Sequence, residues 1–273
     1  NTGIYGITKQ VSKKLEKPTY EIIKDIRSAN ILYIDETKYK LNGKTWWLWT
    51  FVSENCVLFV IRKSRHKRVI EEILGKKFRG IIVSDGWIAY KDFADILQRC
   101  WAHLLREAEG LAEKYSGFAG FYEAINGIFK KIKKLREKPY SIKTREKWKW
   151  ILELEMMQAV EQMNCYREFR KFAEKVKNGL QYWFTCLINL FVEPTNNNAE
   201  RALRELIVQR KIIGGLRREK GANIMQTITS MIATWKKQQK PLLAFNVSPR
   251  ARRSAQFNIP AKNGATAKDS ISR

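Results

Sequence analysis

Three acidic residues stand where predicted secondary-structure elements begin or end. Asp35 follows the apolar run 31–34, and Asp85 follows a second apolar run at 80–84. Glu200 lies in the first turn of a predicted amphipathic helix that follows three consecutive asparagines. If the two apolar runs are neighbouring strands of one sheet, both aspartates emerge at the same edge. A helix packed on that sheet can then add the glutamate.

Carboxylates that converge in this way favour a divalent cation. Without one they repel each other, which raises their pKa values. Mg²⁺ prefers oxygen ligands and keeps positions open for water and phosphate oxygens. Two such ions, about 3.5–4 Å apart, can activate a nucleophilic oxygen and stabilise the leaving 3′ oxygen of a phosphodiester. The three residues therefore predict a site for two Mg²⁺ ions, with Mn²⁺ as a possible substitute.

Each acidic residue also has a structural interpretation. Asp35 and Asp85 could be turn residues at strand ends, since Asp-Gly is a common turn pair. Glu200 could complete a capping box by reaching back to the backbone N–H of Asn197. Glu36 is expected to point to the opposite face of the strand from Asp35, and therefore to be structural. Taken singly, each residue favours the structural interpretation; taken together, the three acids favour the catalytic one.

A histidine and a group of basic residues could contact phosphate or be structural. His103 follows Cys100 with a metal-like spacing, but the sequence offers no second ligand pair, so a zinc site is not expected. His103 could equally be a buried, hydrogen-bonded side chain. The basic residues either form the solvated face of a helix or bind phosphate beside Glu200. They are Arg201, Arg204, Arg210 and Lys211.

The composition points to a polyanionic partner. The 273 residues include 52 Lys and Arg against 27 Asp and Glu, a net charge of +25, with a pI near 10.0. Nucleic acid is the commonest partner of so basic a protein, and an anionic membrane surface is the lesser alternative. No apolar run reaches the roughly 18 residues that a membrane-spanning helix needs. Four scattered cysteines without a CxxC pair predict neither a zinc ribbon nor a disulfide framework, so a reducing interior is the expected location.

The hydrophobic pattern predicts an α/β fold. A helix at 19–28 precedes an antiparallel meander, in which Asn42-Gly43 is a strong hairpin signal. A second helix at 67–75 leads into a strand parallel to the first, which gives a mixed sheet of about five strands. The expected strands are 31–34, 38–41, 46–52, 57–62 and 80–84.

From Gln98 onward the pattern is helical. Strand-like runs are almost absent from 104–195, which predicts a separate all-helical block. The expected helical segments are 100–112, 118–137, 145–192 with a break near Asn178-Gly179, the Glu200 helix up to Gly214-Gly215, and 222–237. Beyond Pro241 the sequence is low in aliphatic residues and basic, which predicts a disordered tail that attracts phosphate.

Four stretches, in this order, resemble the DDE transposases with a ribonuclease H-like fold, and most closely the insertion sequence 66 group. They are Tyr33-Ile34-Asp35-Glu36-Thr37; Ser84-Asp85-Gly86-Trp87-Ile88-Ala89-Tyr90; Cys100-Trp101-Ala102-His103-Leu104-Leu105-Arg106; and Asn197-Asn198-Ala199-Glu200-Arg201-Ala202-Leu203-Arg204 with Gln209-Arg210-Lys211. The resemblance covers about 30–240. It implies that Asp35, Asp85 and Glu200 are a metal-binding triad, and that His103 and Arg106 lie near the DNA.

The resemblance also implies a division of the chain. Residues 30–103 and 196–240 would form the ribonuclease H-like catalytic domain, interrupted by a helical insertion at 104–195. Residues 1–29 would be an N-terminal helical segment, and 241–273 the basic tail. Because the chain begins at Asn1 and lacks the DNA-end-binding and zinc-binding regions usual in the group, we expect a truncated N-terminal region.

The implied activity is metal-dependent cleavage of DNA at transposon ends, followed by transfer of the 3′ hydroxyl into target DNA. The expected partner is double-stranded DNA, on which the chain would form a homo-oligomer, with no membrane partner. The expected location is the cytoplasm of a prokaryote, at the nucleoid. Two alternatives remain open: a catalytically idle, basic DNA-binding remnant, and a ribonuclease H-like nuclease that acts on other substrates.

Overall fold

The computed structural model describes residues 3–86, 90, 93–163, 166–213 and 216–241. Its main elements are α1 (Ile4–Lys14), α2 (Glu16–Ser28), β1 (Ile31–Leu41), β2 (Lys44–Val52), β3 (Val57–Arg62), α3 (Arg68–Leu74), β4 (Phe78–Ser84), β5 (Ala94–Arg99), α4 (Trp101–Lys114), α5 (Ala119–Arg136), α6 (Ile142–Gln162), α7 (Arg170–Lys177), α8 (Leu180–Trp183), α9 (Thr185–Ile188), α10 (Asn197–Ile213) and α11 (Glu219–Lys237). The predicted disordered tail, the motif residues 87–89 and the predicted break at Gly214-Gly215 lie outside the described residues.

The five strands form one mixed sheet in the order β3-β2-β1-β4-β5. β2 pairs antiparallel with both β1 and β3, whereas β4 pairs parallel with both β1 and β5. The helical connections lie on both sides of the sheet, since buried residues of the sheet pack into two separate hydrophobic clusters. The predicted ribonuclease H-like mixed five-stranded sheet with flanking helices is confirmed.

The first strand is longer than predicted. The runs 31–34 and 38–41 belong to one strand, because β1 pairs continuously with β2 from Tyr33↔Val52 to Leu41↔Lys44. The polar residues 35–37 between the two runs belong to this backbone ladder, although Asp and Glu are uncommon in strands. Asp35 therefore lies within β1, so the predicted end of the strand at this residue is wrong, and the alternative of a strand-end turn is excluded.

The sequence pattern fails to predict β5. Gln98 and Arg99 are polar, so the sequence does not look like a buried strand. Both are nevertheless buried, and they gain their hydrogen-bond partners only in the folded protein. Gln98 Nε2 donates to the carbonyl of Trp183 at 3.1 Å, and its Oε1 accepts from the backbone N–H of Cys186 at 2.7 Å. Arg99 Nη1 donates to the carbonyl of Lys175 at 2.8 Å. Contacts with the α7–α9 region thus decide the local structure, and helix begins only at Trp101.

The alternation of β1 sets which side chains can meet the helices. Leu32 and Ile34 pack with α2 and α3, whereas Tyr33 packs with α4 and α10. We call these two sides of the sheet the α2 face and the α10 face. Because successive strand residues point to opposite faces, Asp35 follows Tyr33 onto the α10 face and Glu36 falls on the α2 face.

Helix α11 covers the edge strand β3 through polar side chains. Val57, Phe59 and Ile61 donate their backbone N–H groups to Thr234 Oγ1, Ser230 Oγ and Gln226 Oε1, at 3.0, 2.8 and 2.9 Å. The three acceptors are spaced four residues apart, so they form one row along the helix. The row satisfies the groups that an edge strand would otherwise leave unpaired, which protects β3 from pairing with another chain.

The described residues 104–163 and 166–195 contain helices and no strand. Trp101, at the start of α4, joins this helical region to the sheet. Its ring stacks on Phe129 at 5.5 Å between centroids and meets Trp183 edge-on at 5.9 Å. Its indole N–H donates to the carbonyl of Trp183 at 2.6 Å. None of the helices in the described ranges combines the length and the apolar character needed to cross a membrane.

Candidate active site

Asp35 and Asp85 come from neighbouring parallel strands. β1 and β4 are paired from Ile31↔Ile81 to Tyr33↔Val83. When this register is continued by two residues, it sets Asp35 opposite Asp85. β4 ends one residue before Asp85. Gly86 then adopts a φ of +91°, a backbone conformation that glycine accepts without strain, so the extended strand does not continue through it. The sheet thus brings the two aspartates to one place, as predicted from the sequence.

Glu200 reaches this region from α10, which Asn196 fastens to β1. The side-chain amide of Asn196 donates from Nδ2 to the carbonyl of Ile34 at 2.8 Å, directly beside Asp35. The backbone N–H of Glu200 donates to the carbonyl of Asn196 at 3.1 Å, which closes the first turn of the helix. Asn196 is fully buried, so the start of α10 is fixed relative to the sheet. The sequence pattern missed this residue, although a run of asparagines before a helix is a signal for a cap.

The carboxyl group of Glu200 faces α4 and does not complete a capping box. Its Oε2 lies 3.5 Å from Arg106 Nη2, and its Oε1 lies 3.4 Å from His103 Nδ1. Glu200 Oε1 and His103 Nδ1 are both buried, and neither has a hydrogen-bond partner among the described residues. The expected hydrogen bond to the N–H of Asn197 is thus not made by Oε1. An unpaired buried carboxylate oxygen costs free energy unless a cation or water satisfies it.

Cys100 completes the set of side chains around Glu200. Cys100, His103 and Arg106 recur every three residues along the start of α4, so they share one side of the helix. Ligand atoms of Cys100, His103 and Glu200 all lie within 4.8 Å of one another. The thiol sulfur accepts a hydrogen bond from the backbone N–H of Asn196 at 3.1 Å. The sequence predicts no zinc site here, because it shows no second ligand pair; the fold adds one further residue with a ligand atom, Glu200.

The three acidic residues are electrostatically coupled. Burial and, after it, the charges of Glu36, Asp85 and Glu200 together raise the pKa of Asp35 to about 7. The hydrogen bond from the backbone N–H of Glu36 to Asp35 Oδ1, at 3.0 Å, opposes this shift. The prediction that at least one carboxyl pKa is raised is therefore confirmed at Asp35. Burial also lowers the pKa of His103, against the opposing effects of Glu200 and Asp85, so its imidazole is neutral at pH 7.

Glu36 forms a second polar cluster, on the α2 face. Its carboxylate is 1% exposed; it accepts from Arg65 Nε at 2.6 Å and from the Tyr90 hydroxyl at 2.7 Å. Arg65 Nη2 also lies 3.4 Å from Asp85 Oδ2, and its guanidinium is 5.3 Å from the ring of Trp47. Glu36 is thus on the opposite face from Asp35, as predicted, yet it is linked to Asp85 through Arg65. No spacing in the sequence distinguishes Arg65 from the basic residues around it.

The predicted basic residues of α10 differ in their surroundings. Arg201, Arg204 and Lys211 are exposed, and the side chain of Arg106 on α4 is 60% exposed. Arg210 instead donates from Nη1 to the carbonyl of Lys38 at 2.5 Å and lies over the ring of Tyr39, so it fastens α10 to β1. Arg201, Arg204 and Lys211 are accessible to a polyanion, whereas Arg106 pairs with Glu200 and Arg210 has a structural role.

The fold and the site together define a protein of the ribonuclease H-like class with acidic residues at the centre of its sheet. A family model described as "Transposase IS66 family" matches residues 2–224. The chain therefore belongs to the IS66 transposase family, and the resemblance noted from its sequence motifs is confirmed. No curated protein sequence matches the chain.

Proposed function

We propose that this chain is a DDE-type transposase that cleaves DNA at transposon ends and transfers the strand into target DNA, with Asp35, Asp85 and Glu200 as the metal-holding residues. The observation that carries the proposal is the placement of these acids, 50 and 115 residues apart, on one strand, at the end of the neighbouring parallel strand and in the first turn of a helix, where Asp85 and Glu200 both act on the charge of Asp35. Membership of a transposase family supports the reaction class. The triad, the metal and the individual steps are part of the proposal.

The donor set suits a hard divalent cation. Asp35 and Glu200 offer carboxylate oxygens, and one oxygen of Glu200 is buried without a hydrogen-bond partner among the described residues. Burial, and after it the charges of Glu36 and Asp85, raise the pKa of Asp35; a bound cation would favour its ionised form against both effects. Mg²⁺ or Mn²⁺ would be held by Asp35, Asp85 and Glu200, and when bound it would supply a Lewis acid for the attacking and leaving oxygens of the phosphodiester.

The surrounding residues would position the acids and the DNA. Arg65 holds Asp85 from the α2 face, and Asn196 fixes the helix that carries Glu200. His103 is neutral near pH 7, so it can donate one hydrogen bond to a phosphate oxygen without adding charge beside Arg106. We expect Arg106, with the exposed Arg201, Arg204 and Lys211, to bind the DNA backbone. Arg210 is assigned a structural role instead.

The expected substrate is double-stranded DNA, both as transposon ends and as target. The net charge of +25 supports binding to a polyanion. Assembly into a homo-oligomer on DNA, and a location in the prokaryotic cytoplasm at the nucleoid, remain predictions that rest on the family resemblance.

A nicking assay tests the proposal. Supercoiled plasmid is incubated with the purified chain in Mg²⁺ or Mn²⁺, and relaxed product is measured for the wild type, Asp85→Asn and Asp95→Asn. Asp95 is the matched control, because it is an exposed aspartate on β5 that pairs with Lys77 away from the site. Nicking by the wild type and by Asp95→Asn, but not by Asp85→Asn, is expected. Binding of plasmid without nicking in either metal would favour the catalytically idle remnant.

A further inference from the structure

The cluster of Cys100, His103 and Glu200 contains a ligand that the proposed reaction does not use. Mg²⁺ is a hard cation that selects oxygen, and a thiolate contributes little to its binding. Cys100 is nevertheless fully buried beside Glu200, with ligand atoms of all three residues within 4.8 Å of one another. Sulfur, imidazole nitrogen and carboxylate oxygen are the ligands that Zn²⁺ takes in proteins.

We propose that Cys100, His103 and Glu200 form a binding site for a thiophilic divalent cation of the zinc class, which competes with the catalytic cation for Glu200. The competition, though not the site itself, rests on the proposed function. Binding at this site would withdraw a carboxylate from the triad. The chain would then be inhibited by zinc-class cations at a position distinct from the Asp35 and Asp85 end of the active site.

Two of the three ligand atoms are already free to bind a cation. His103 Nδ1 and Glu200 Oε1 lie 3.4 Å apart, both buried, and neither has a hydrogen-bond partner in the described part of the chain. With the imidazole proton on Nε2, both atoms are acceptors; a cation between them would then be held by both. The two side chains are 29% and 23% exposed, although these two ligand atoms are themselves buried.

The dimensions allow a tetrahedral site after a small contraction. Zn²⁺ binds sulfur at about 2.3 Å and nitrogen or oxygen at about 2.0–2.2 Å, which places its ligand atoms about 3.3–3.8 Å apart. The ligand atoms of the cluster are separated by up to 4.8 Å, so closure requires a movement of about 1 Å. Cys100 and His103 lie one turn apart on α4, and rotation of side chains suffices to bring them together.

Burial raises the pKa of the free Cys100 thiol, but two features of its surroundings favour a metal-bound thiolate. The backbone N–H of Asn196 donates to the sulfur at 3.1 Å, an outer contact of the kind that orients metal ligands. Cys100 also stands immediately before the first residue of α4, where the positive end of the helix dipole favours negative charge. Cys56 lacks this setting, although it is equally buried, because its thiol donates to Asp25 Oδ2 at 3.2 Å.

Cobalt titration tests the site directly. Co²⁺ replaces Zn²⁺ in such sites, and a thiolate ligand gives a charge-transfer band in the near ultraviolet. Metal-free full chain is titrated with Co²⁺ as the wild type, Cys100→Ser, His103→Asn and the matched control Cys56→Ser. We expect the band in the wild type and in Cys56→Ser, its loss in Cys100→Ser, and at least 10-fold weaker Co²⁺ binding in His103→Asn. One proton should be released per ion, because the thiol must ionise.

Zinc inhibition tests the competition. In the plasmid-nicking assay at fixed Mg²⁺, Cys100→Ser should need at least 10-fold more Zn²⁺ than the wild type or Cys56→Ser for half inhibition. An absent band in the wild type, or an unchanged band in Cys100→Ser, would overturn the site; equal Zn²⁺ sensitivity would overturn the competition. If Cys100→Ser does not fold, His103→Asn decides the site by its Co²⁺ affinity. A Cys100-dependent band in a chain that never nicks DNA would refute the proposed function and leave the site standing.

Discussion

Replacement of Asp35 by asparagine should make the metal-free protein more stable at neutral pH while abolishing DNA cleavage. The pKa of Asp35 is raised from an ordinary value of 3.8 to about 7, mainly by burial and by the nearby Glu36 and Asp85. The folded protein therefore binds a proton at Asp35 more tightly than the unfolded chain does. Asparagine has a similar shape and no charge, so it removes this source of pH dependence.

The sign and size follow from linkage. Between pH 4 and pH 7 the folded state holds more protons at Asp35 than the unfolded state, so the free energy of unfolding falls as the pH rises. Raising the pKa of Asp35 from 3.8 to about 7, at 1.36 kcal/mol per pH unit, lowers the free energy of unfolding by about 4 kcal/mol in total as the pH rises. About 3 kcal/mol of this loss falls between pH 5 and pH 8. Mg²⁺ should remove most of it, because the cation binds the ionised site in the folded chain alone.

Urea unfolding in EDTA at pH 5 and pH 8 measures this difference for the wild type, Asp35→Asn and the exposed control Asp95→Asn. We expect the wild type and the control to lose about 3 kcal/mol more than Asp35→Asn between the two pH values. Comparing two pH values cancels any pH-independent effect of the substitution. Equal pH dependence in all three proteins would refute the claim that Asp35 sits in a strained acidic site, as would an equal gain from Mg²⁺ in the wild type and Asp35→Asn.

Three further outcomes are expected. Ser230→Ala should destabilise the protein by about 1–3 kcal/mol, because it leaves the buried backbone N–H of Phe59 in β3 unpaired. Thr229→Ala is the control: the Thr229 hydroxyl donates to carbonyls of its own helix, so its loss should cost less free energy in the same urea titration. Arg65→Ala should lower the free energy of unfolding by up to about 3–5 kcal/mol, because the buried carboxylate of Glu36 loses its charged partner. The added change Glu36→Gln should recover part of that loss. DNA affinity should fall steeply with salt: each phosphate contact adds about 0.9 to the slope of log affinity against log salt concentration. Arg204→Ala should lower that slope without changing the preferred sequence. An unchanged slope in a filter-binding series would exclude a phosphate contact of Arg204.

The sequence predicts the part of the fold in which local pattern and tertiary packing agree. The Asn42-Gly43 hairpin, the aromatic β2 and the apolar β4 all have strand character, and they form strands. β5 does not, since its Gln98 and Arg99 find their partners only after the helical region has packed against the sheet. The division of 31–41 into two strands fails for the same kind of reason: the continuous ladder with β2 outweighs the polar side chains at its centre.

The candidate site was predictable where its residues stand at element boundaries. Asp85 and Glu200 are marked by a strand end and a helix start, and the register of β1 with β4 brings Asp35 to them. Arg65 carries no such mark, and Asn196 is marked only as a possible helix cap, because their contacts with Asp85 and Ile34 lie 20 and 162 residues away along the chain. The metal-ligand character of Cys100 and His103 was hidden for that reason too, since their third ligand comes from another helix.

The most direct test of the proposed triad is the rate of Mg²⁺-dependent nicking by Glu200→Gln. Glutamine keeps the shape of the side chain and removes the anionic metal ligand. Glu205→Gln is the matched control, because Glu205 is an exposed glutamate on the same helix that pairs with Lys236. We predict that the nicking rate of Glu200→Gln falls by more than roughly 100-fold, the upper end of what loss of an outer-shell partner of a metal ligand costs. Glu205→Gln should cut at the wild-type rate. Nicking by Glu200→Gln at the wild-type rate would contradict the assignment of Glu200 to the active site.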